Sequence, residues 1–97
     1  MNYEFHPEAV KEFEKAVEYY DSCRAGLGLE FIDELEHTLK RIETFPEAWP
    51  SLSKNTRRCR LKRFPFGVVY QIVQDRLIVI AVMNLQQKPN YWANRLQ

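Results

Sequence analysis

The segment Arg57–Met83 limits what this chain can fold into more than any other. Two runs within it, FGVVYQIV and RLIVIAVM, are short, β-branched and aromatic, and only Gln74-Asp75 separates them. Runs of that length and composition read as strands, and the basic RRCRLKR before them reads as another. The expectation is three consecutive antiparallel strands, with turns at Pro65-Gly67 and Gln74-Asp75. Leu77 to Met83 is apolar on both alternating faces, so this strand is predicted to be central or covered on both sides. Such a sheet needs a cover.

The cover lies upstream. Asn2 to Phe5 alternates briefly and reads as an edge strand of the same sheet. Pro7 suits a first helical turn, where its missing N–H has no partner to lose, and Glu8 and Glu12 suit the positive end of the helix dipole. From Pro7 to about Ser22, Val10, Phe13, Val17 and Tyr20 recur at helical spacing with Ala9 and Ala16 beside them, which predicts an amphipathic helix. Gly26 and Gly28 bracket a short turn. A second helix then runs to about Thr44 with Leu27, Phe31, Leu35, Leu39 and Ile42 on one stripe. Two helices joined so closely form a hairpin. Pro46 and Pro50 end the helix, Phe45 and Trp49 are expected to fold back onto the edge of the core, and Ser51 to Thr56 reads as a polar loop. The predicted fold class is α+β: a helical hairpin on a twisted antiparallel sheet of about four strands.

At 97 residues, 45% hydrophobic and 13% aromatic, the chain suits one small domain spanning 1–97, with enough apolar surface for a core. No apolar run approaches the roughly 18 residues of a membrane span, and MNYEFHPE does not resemble a secretory leader. With Cys23 and Cys59 far apart and outside a CxxC spacing, free thiols in a cytoplasmic protein are expected. Charge is distributed unevenly. Met1 to Lys54 carries 6 Lys and Arg against 12 Asp and Glu, whereas Asn55 to Gln97 carries 8 against 1. Two electrostatic faces are expected, one suited to a polyanion or an acidic partner, unless the halves interleave in space.

The chain has no P-loop, GxGxxG, HExxH or nucleophile elbow. His6 and His37 read as surface residues, Glu8, Glu12, Glu14 and Glu18 as a solvated helix face, and no cofactor or metal site is expected. The basic strand is more informative. With a two-residue repeat, Arg58, Arg60 and Lys62 fall on one face, about 7 Å apart, and Cys59 and Leu61 on the other. Arg57, Arg58, Arg60, Lys62 and Arg63, with Lys88 and Arg95 nearby, could grip a phosphate backbone. Cleavage of RNA by its own 2′-hydroxyl needs a base, an acid and charge stabilisation. Arg60 and Lys62 are candidates for the last role, and Tyr91 or Tyr70 for proton transfer. Against this, Tyr70 reads equally as a sheet residue, and Tyr91 and Trp92 as pins holding the tail onto the sheet.

Several stretches, taken in order, resemble a known family. They are Phe5-His6-Pro7-Glu8-Ala9 leading into a helix with Glu18-Tyr19-Tyr20, Gly26-Leu27-Gly28 with Phe31, the IETFPEAWP turn at 42–50, RCRLKRFPFG at 58–67 with Val69-Tyr70, and PNYWANR at 89–95. Together they cover nearly the whole chain, which resembles the RelE/ParE superfamily of type II toxin–antitoxin toxins, in particular members described as plasmid stabilisation proteins. The resemblance implies a helical hairpin on a twisted antiparallel sheet, and a cognate antitoxin as partner. It implies one of two targets: the ribosome, where RelE-like members cut mRNA with basic residues and often a C-terminal tyrosine, or DNA gyrase, which ParE-like members poison without cleavage chemistry. A catalytically silent relative, or a small module retaining antitoxin or nucleic-acid binding, is the alternative. Family members often carry His-x-Arg-Arg just before Pro-x-Tyr-Trp. Here that stretch reads Asn84-Leu85-Gln86-Gln87-Lys88, so Asn84 and Gln87 become additional site candidates and only Lys88 retains a cation.

Overall fold

The computed structural model describes residues 2–53 and 55–97, with Asn2 described by its backbone alone. The elements in chain order are β1 (Asn2–Phe5), α1 (Pro7–Cys23), α2 (Leu27–Thr44), β2 (Ser51–Ser53), β3 (Thr56–Arg60), β4 (Phe66–Val73), β5 (Arg76–Asn84) and a single 3-10 turn at Ala93–Arg95. One five-stranded sheet has the order β1-β5-β4-β3-β2. β1 lies parallel to β5, and the other pairings are antiparallel.

The predicted hairpin and the three-strand meander both form. The sheet has five strands rather than about four, because Ser51–Ser53, read from sequence as loop, pairs with β3 as a short edge strand. Lys54, in the same stretch, lies outside the described residues. Phe45 does not fold back onto the core. It is 63% exposed, whereas Trp49 packs against the core as expected.

The helix hairpin covers one face of the sheet. Ala9, Ala16, Phe31, Leu35, Leu39 and Ile42 meet Cys59, Val68, Tyr70, Leu77, Val79 and Val82 there. The rings of Phe31, Tyr20, Phe64 and Phe66 stack and cross at the centre of this layer, with centroids 4.7 to 6.0 Å apart. Val69, Ile78, Ile80, Ala81 and Met83 form a second apolar layer on the opposite face, covered by Trp92 and Leu96 of the C-terminal segment. The apolar residues of β5 are therefore buried on both faces, as its composition required.

β5 carries one irregularity. Val69 pairs with Ala81 and Tyr70 with Val79, which leaves Ile80 as an extra residue. The bulge changes the phase of the strand: Leu77 and Val79 face the helices before it, and Val82 does after it. It also lets Ile80 and Ala81 both join the second layer.

Local chemistry fixes the helix ends. The His6 imidazole caps α1 by accepting the Glu8 N–H at 3.1 Å, directly before Pro7. Gly26 adopts a left-handed φ of 89°, and the Asp21 carboxylate accepts both the Gly26 and Gly28 N–H groups at 3.1 and 3.2 Å. Gly28 is thus the second residue of α2 rather than part of the turn. A Cβ there would lie 2.9 Å from the Val17 carbonyl and 3.1 Å from Val17 Cγ1. Helix propensity alone favours alanine at this position by about 1 kcal/mol. The contact with α1 backbone reverses that sign, because backbone cannot swing aside. Gly28→Ala is expected to destabilise the fold by about 1–3 kcal/mol, read as a lower urea midpoint at unchanged slope.

Candidate functional site

β1 ends at Phe5 opposite Val79, and the chain turns into α1 after the His6 N–H reaches the Val79 carbonyl at 2.8 Å. Among the described residues, no strand pairs with the β1-facing edge of β5 from Ile80 onward. Side chains complete it instead. Glu12, on α1, accepts the Val82 N–H at 3.0 Å, and Arg95, from the C-terminal segment, donates to the Ile80 carbonyl at 3.1 Å. The two are joined to each other. Arg95 Nη1 and Nη2 reach the two Glu12 oxygens at 3.0 and 3.1 Å, a two-pronged arrangement that fits the guanidinium fork. The Tyr91 hydroxyl donates to Glu12 Oε2 at 2.7 Å, and the Arg95 guanidinium sits 5.1 Å from the Tyr91 ring centroid.

Little of this pair meets solvent: the Arg95 side chain is 12% exposed and that of Glu12 19%. A carboxylate so enclosed needs its partners, and here it has four donors. Burial, followed by the hydrogen bond to Glu12, pushes the Tyr91 phenol far above its ordinary pKa. Beside this cluster an open groove of about 940 Å³ runs between α1 and the loop after β5. Glu14, Lys15, Glu18, Tyr19, Asn84, Gln86 and Gln87 line its walls. Asn84 and Gln87 are joined within the loop by the Asn84 N–H donating to Gln87 Oε1 at 3.0 Å.

Of the expected basic residues, only Arg95 lines this groove. Arg58 and Arg60 share the face of β3 turned away from the helices, opposite the face of Cys59, as the two-residue repeat predicts. Lys62 does not continue the row. The strand ends at Arg60, the Leu61 N–H turns back to the Phe66 carbonyl at 2.9 Å, and the Lys62 N–H donates to Glu34 on α2 at 3.2 Å. Lys62 then borders a shallow depression with Glu34, His37, Lys40 and Arg41. Arg57 turns to the helix side, where it donates to the Trp49 carbonyl at 2.8 Å. Arg63 pairs with Glu30 at 2.6 Å, and together with Arg24 holds that carboxyl below its ordinary range. Lys88 is exposed on the loop after β5. Of the expected site residues, the fold brings Tyr91, Arg95, Asn84 and Gln87 together and spreads the others around the sheet.

Two features were missed from sequence. Glu12, read as part of a solvated face, is the acceptor at the centre of the cluster. The signal was present, since Glu12 lies three residues after Ala9 and four before Ala16, on the line those two small buried residues draw along α1. The grouping of Lys40, Arg41 and His37 with Lys62 depends on how α2 crosses the end of β3, and no local pattern announces it. Among the described residues, no group of three or more His, Cys, Asp or Glu side chains could hold a metal ion, and no helix is long and apolar enough to cross a membrane.

Comparison with known proteins adds the family. Residues 3–89 match the model of the ParE toxin of the type II toxin–antitoxin system, parDE. This chain belongs to the ParE toxin family. The match takes in both helices, β2 to β5 and all of β1 but Asn2; Glu12 lies inside it, and Tyr91 and Arg95 lie beyond its end. A solved structure described as a chromosomal ParDE TA system from P. aeruginosa has the same fold, with a TM-score of 0.75 at 14% identity over 87% of this chain and 95% of that one. A search of curated proteins gives no match. Membership of the ParE family makes this a toxin-type chain and implies a cognate antitoxin as its partner.

Tyr70, the other tyrosine considered for proton transfer, is a core residue in this ParE-family fold. It is fully buried, and its hydroxyl donates to the Pro46 carbonyl, tying β4 to the turn after α2. Burial pushes its pKa from 10.0 to about 12. The neutral phenol is therefore the form the fold prefers, and its contribution to stability is complete below about pH 10 and lost as pH rises towards 12. Wild-type chain should lose stability over that interval. Tyr70→Phe should be less stable at neutral pH, having lost the bond to Pro46, and should show a shallower decline between pH 10 and 12 in denaturant titrations.

Proposed function

We propose that this chain is the toxin of a type II pair and acts by binding DNA gyrase, without cutting RNA itself. The observation that carries this reading is the engagement of Tyr91 and Arg95 with Glu12. A cleavage site needs a group that can take a proton and another that can give one near neutral pH. Tyr91, with its pKa raised by burial and by a carboxylate partner, does neither readily. Arg95 is turned inward to Glu12 and to the edge of β5. Beside them stand Asn84 and Gln87, whose amides donate and accept hydrogen bonds but do not exchange protons at neutral pH.

The distribution of cations supports the same reading. Arg60 and Lys62 are on different sides of the sheet's end, with Lys62 beside α2. Neither lines the groove beside the Glu12 cluster, where a shared phosphorane site would need them. A binding toxin has no such demand, since contacts spread over a surface add affinity without meeting at one atom. The resemblance drawn from sequence divides its members between mRNA cleavage and gyrase poisoning, and the match to the ParE family favours the second.

The test is induction of the chain alone in a bacterial host, with transcript ends mapped and the DNA-damage response followed in the same culture. Growth arrest with intact transcripts and an induced damage response is expected, together with inhibition of purified gyrase supercoiling. Arrest with new in-frame transcript ends, abolished by Arg60→Ala or Tyr91→Phe, would reverse the assignment in favour of ribosome-dependent cleavage. No arrest at confirmed expression would leave a silent relative that retains the fold.

A further inference from the structure

We propose that Glu12 is a latch for the C-terminal segment Tyr91–Gln97, and that this segment opens as one unit when the carboxylate is removed. The claim concerns how the chain holds its own tail and stands whichever target the toxin takes.

The argument begins at the open edge of β5. An unpaired strand edge presents backbone donors and acceptors that need partners. Here one N–H, that of Val82, is satisfied by α1 through Glu12, and one carbonyl, that of Ile80, by the tail through Arg95. The Glu12–Arg95 pair closes the gap between them, so the two side chains together stand where a neighbouring strand would. Neither half works alone. Without Glu12, Arg95 is a mostly buried cation left with one carbonyl, and Tyr91 loses the acceptor for its hydroxyl.

Beyond this point the tail has few polar ties. Its other described hydrogen bonds to the sheet are the amide pair at its far end, where the Gln97 N–H donates to Gln71 Oε1 at 3.0 Å and Gln71 Nε2 to the Gln97 carbonyl at 3.5 Å. Between the two ends the seat is apolar. Trp92 is 2% exposed on the second layer of the core, and its indole N–H has no hydrogen-bond partner among the described residues. Of the remaining backbone bonds, Arg95 to Trp92 and Leu96 to Ala93 are internal to the segment and travel with it, and Ala93 to Asn90 reaches only the adjoining connection. The segment joins the fold through Lys88, Pro89 and Asn90, all exposed, with Asn90 at a left-handed φ of 67°. A short apolar seat held at both ends, on an exposed connection, is the arrangement from which sub-global opening is drawn.

Residue-resolved amide exchange on the full chain tests this, comparing wild type with Glu12→Ala, Glu12→Gln, Arg95→Ala and the Glu12→Ala/Arg95→Ala double variant. In Glu12→Ala, the amides of Ala93, Arg95, Leu96 and Gln97 should exchange at least about tenfold faster, with those of Val68 and Tyr70 in β4 changed far less. Emission from Trp92 should shift to longer wavelength. Arg95→Ala and the double variant should match Glu12→Ala, because a latch with one half gone is already open. Glu12→Gln retains an oxygen for the Val82 N–H but loses the charge facing Arg95. It should free the tail while protecting Val82, and it carries the test should Glu12→Ala fail to fold. The proposal is overturned if tail and β4 amides accelerate by one common factor, if the tail amides are unchanged, or if the single effects multiply in the double variant.

Discussion

β5 has two apolar faces, and a strand of that kind has to be covered twice. The helix hairpin supplies one cover through Ala9, Ala16, Phe31, Leu35 and Ile42, and the tail supplies the other through Trp92 and Leu96. Everything else in the fold accommodates this double burial. β4 and β1 flank β5 on either side, and β3 and β2 extend the sheet beyond β4. The bulge at Ile80 lets β5 serve both layers by changing which of its residues face the helices.

The double cover leaves one gap, and polar chemistry fills it. β1 is only four residues long, so half of the β5 edge lies beyond its reach. Because β1 runs parallel to β5, covering that edge would need the strand to continue past Phe5, where the chain turns into α1. The chain instead uses a carboxylate from α1 and a guanidinium from the tail, which satisfy the backbone of β5 and each other. This solution engages Tyr91 and Arg95, both site candidates from sequence, with Glu12 at the strand edge, and the proposed gyrase reading of this ParE-family chain rests on that engagement.

The cations follow a different rule. Arg58 and Arg60 keep the alternation of β3, but the strand stops at Arg60 and the chain turns towards α2, so the Arg63 guanidinium pairs with Glu30 on that helix and the Lys62 backbone N–H donates to Glu34. The uneven charge of the two halves of the chain is partly cancelled in this way. The acidic helices lie against the basic strand's end, and Glu4 reaches Arg76 across β1 and β5 in the same sense.

The sequence by itself determined the elements: the two amphipathic helices, the three consecutive strands, the edge strand at the N-terminus and the double burial of Leu77–Met83. These are legible because each depends on a repeat of 2 or 3.6 residues within one segment, and on Pro and Gly marking the ends. The family likeness was legible for the same reason, in stretches that each lie within one element or turn. Only the tertiary structure decided what Glu12, Tyr91 and Arg95 do. Residues about 80 positions apart become one cluster because α1, the end of β5 and the tail meet where β1 has run out. The strength of a buried carboxylate's bonds depends on its exclusion from water and on how many donors reach it. Neither quantity exists until the chain has closed around it.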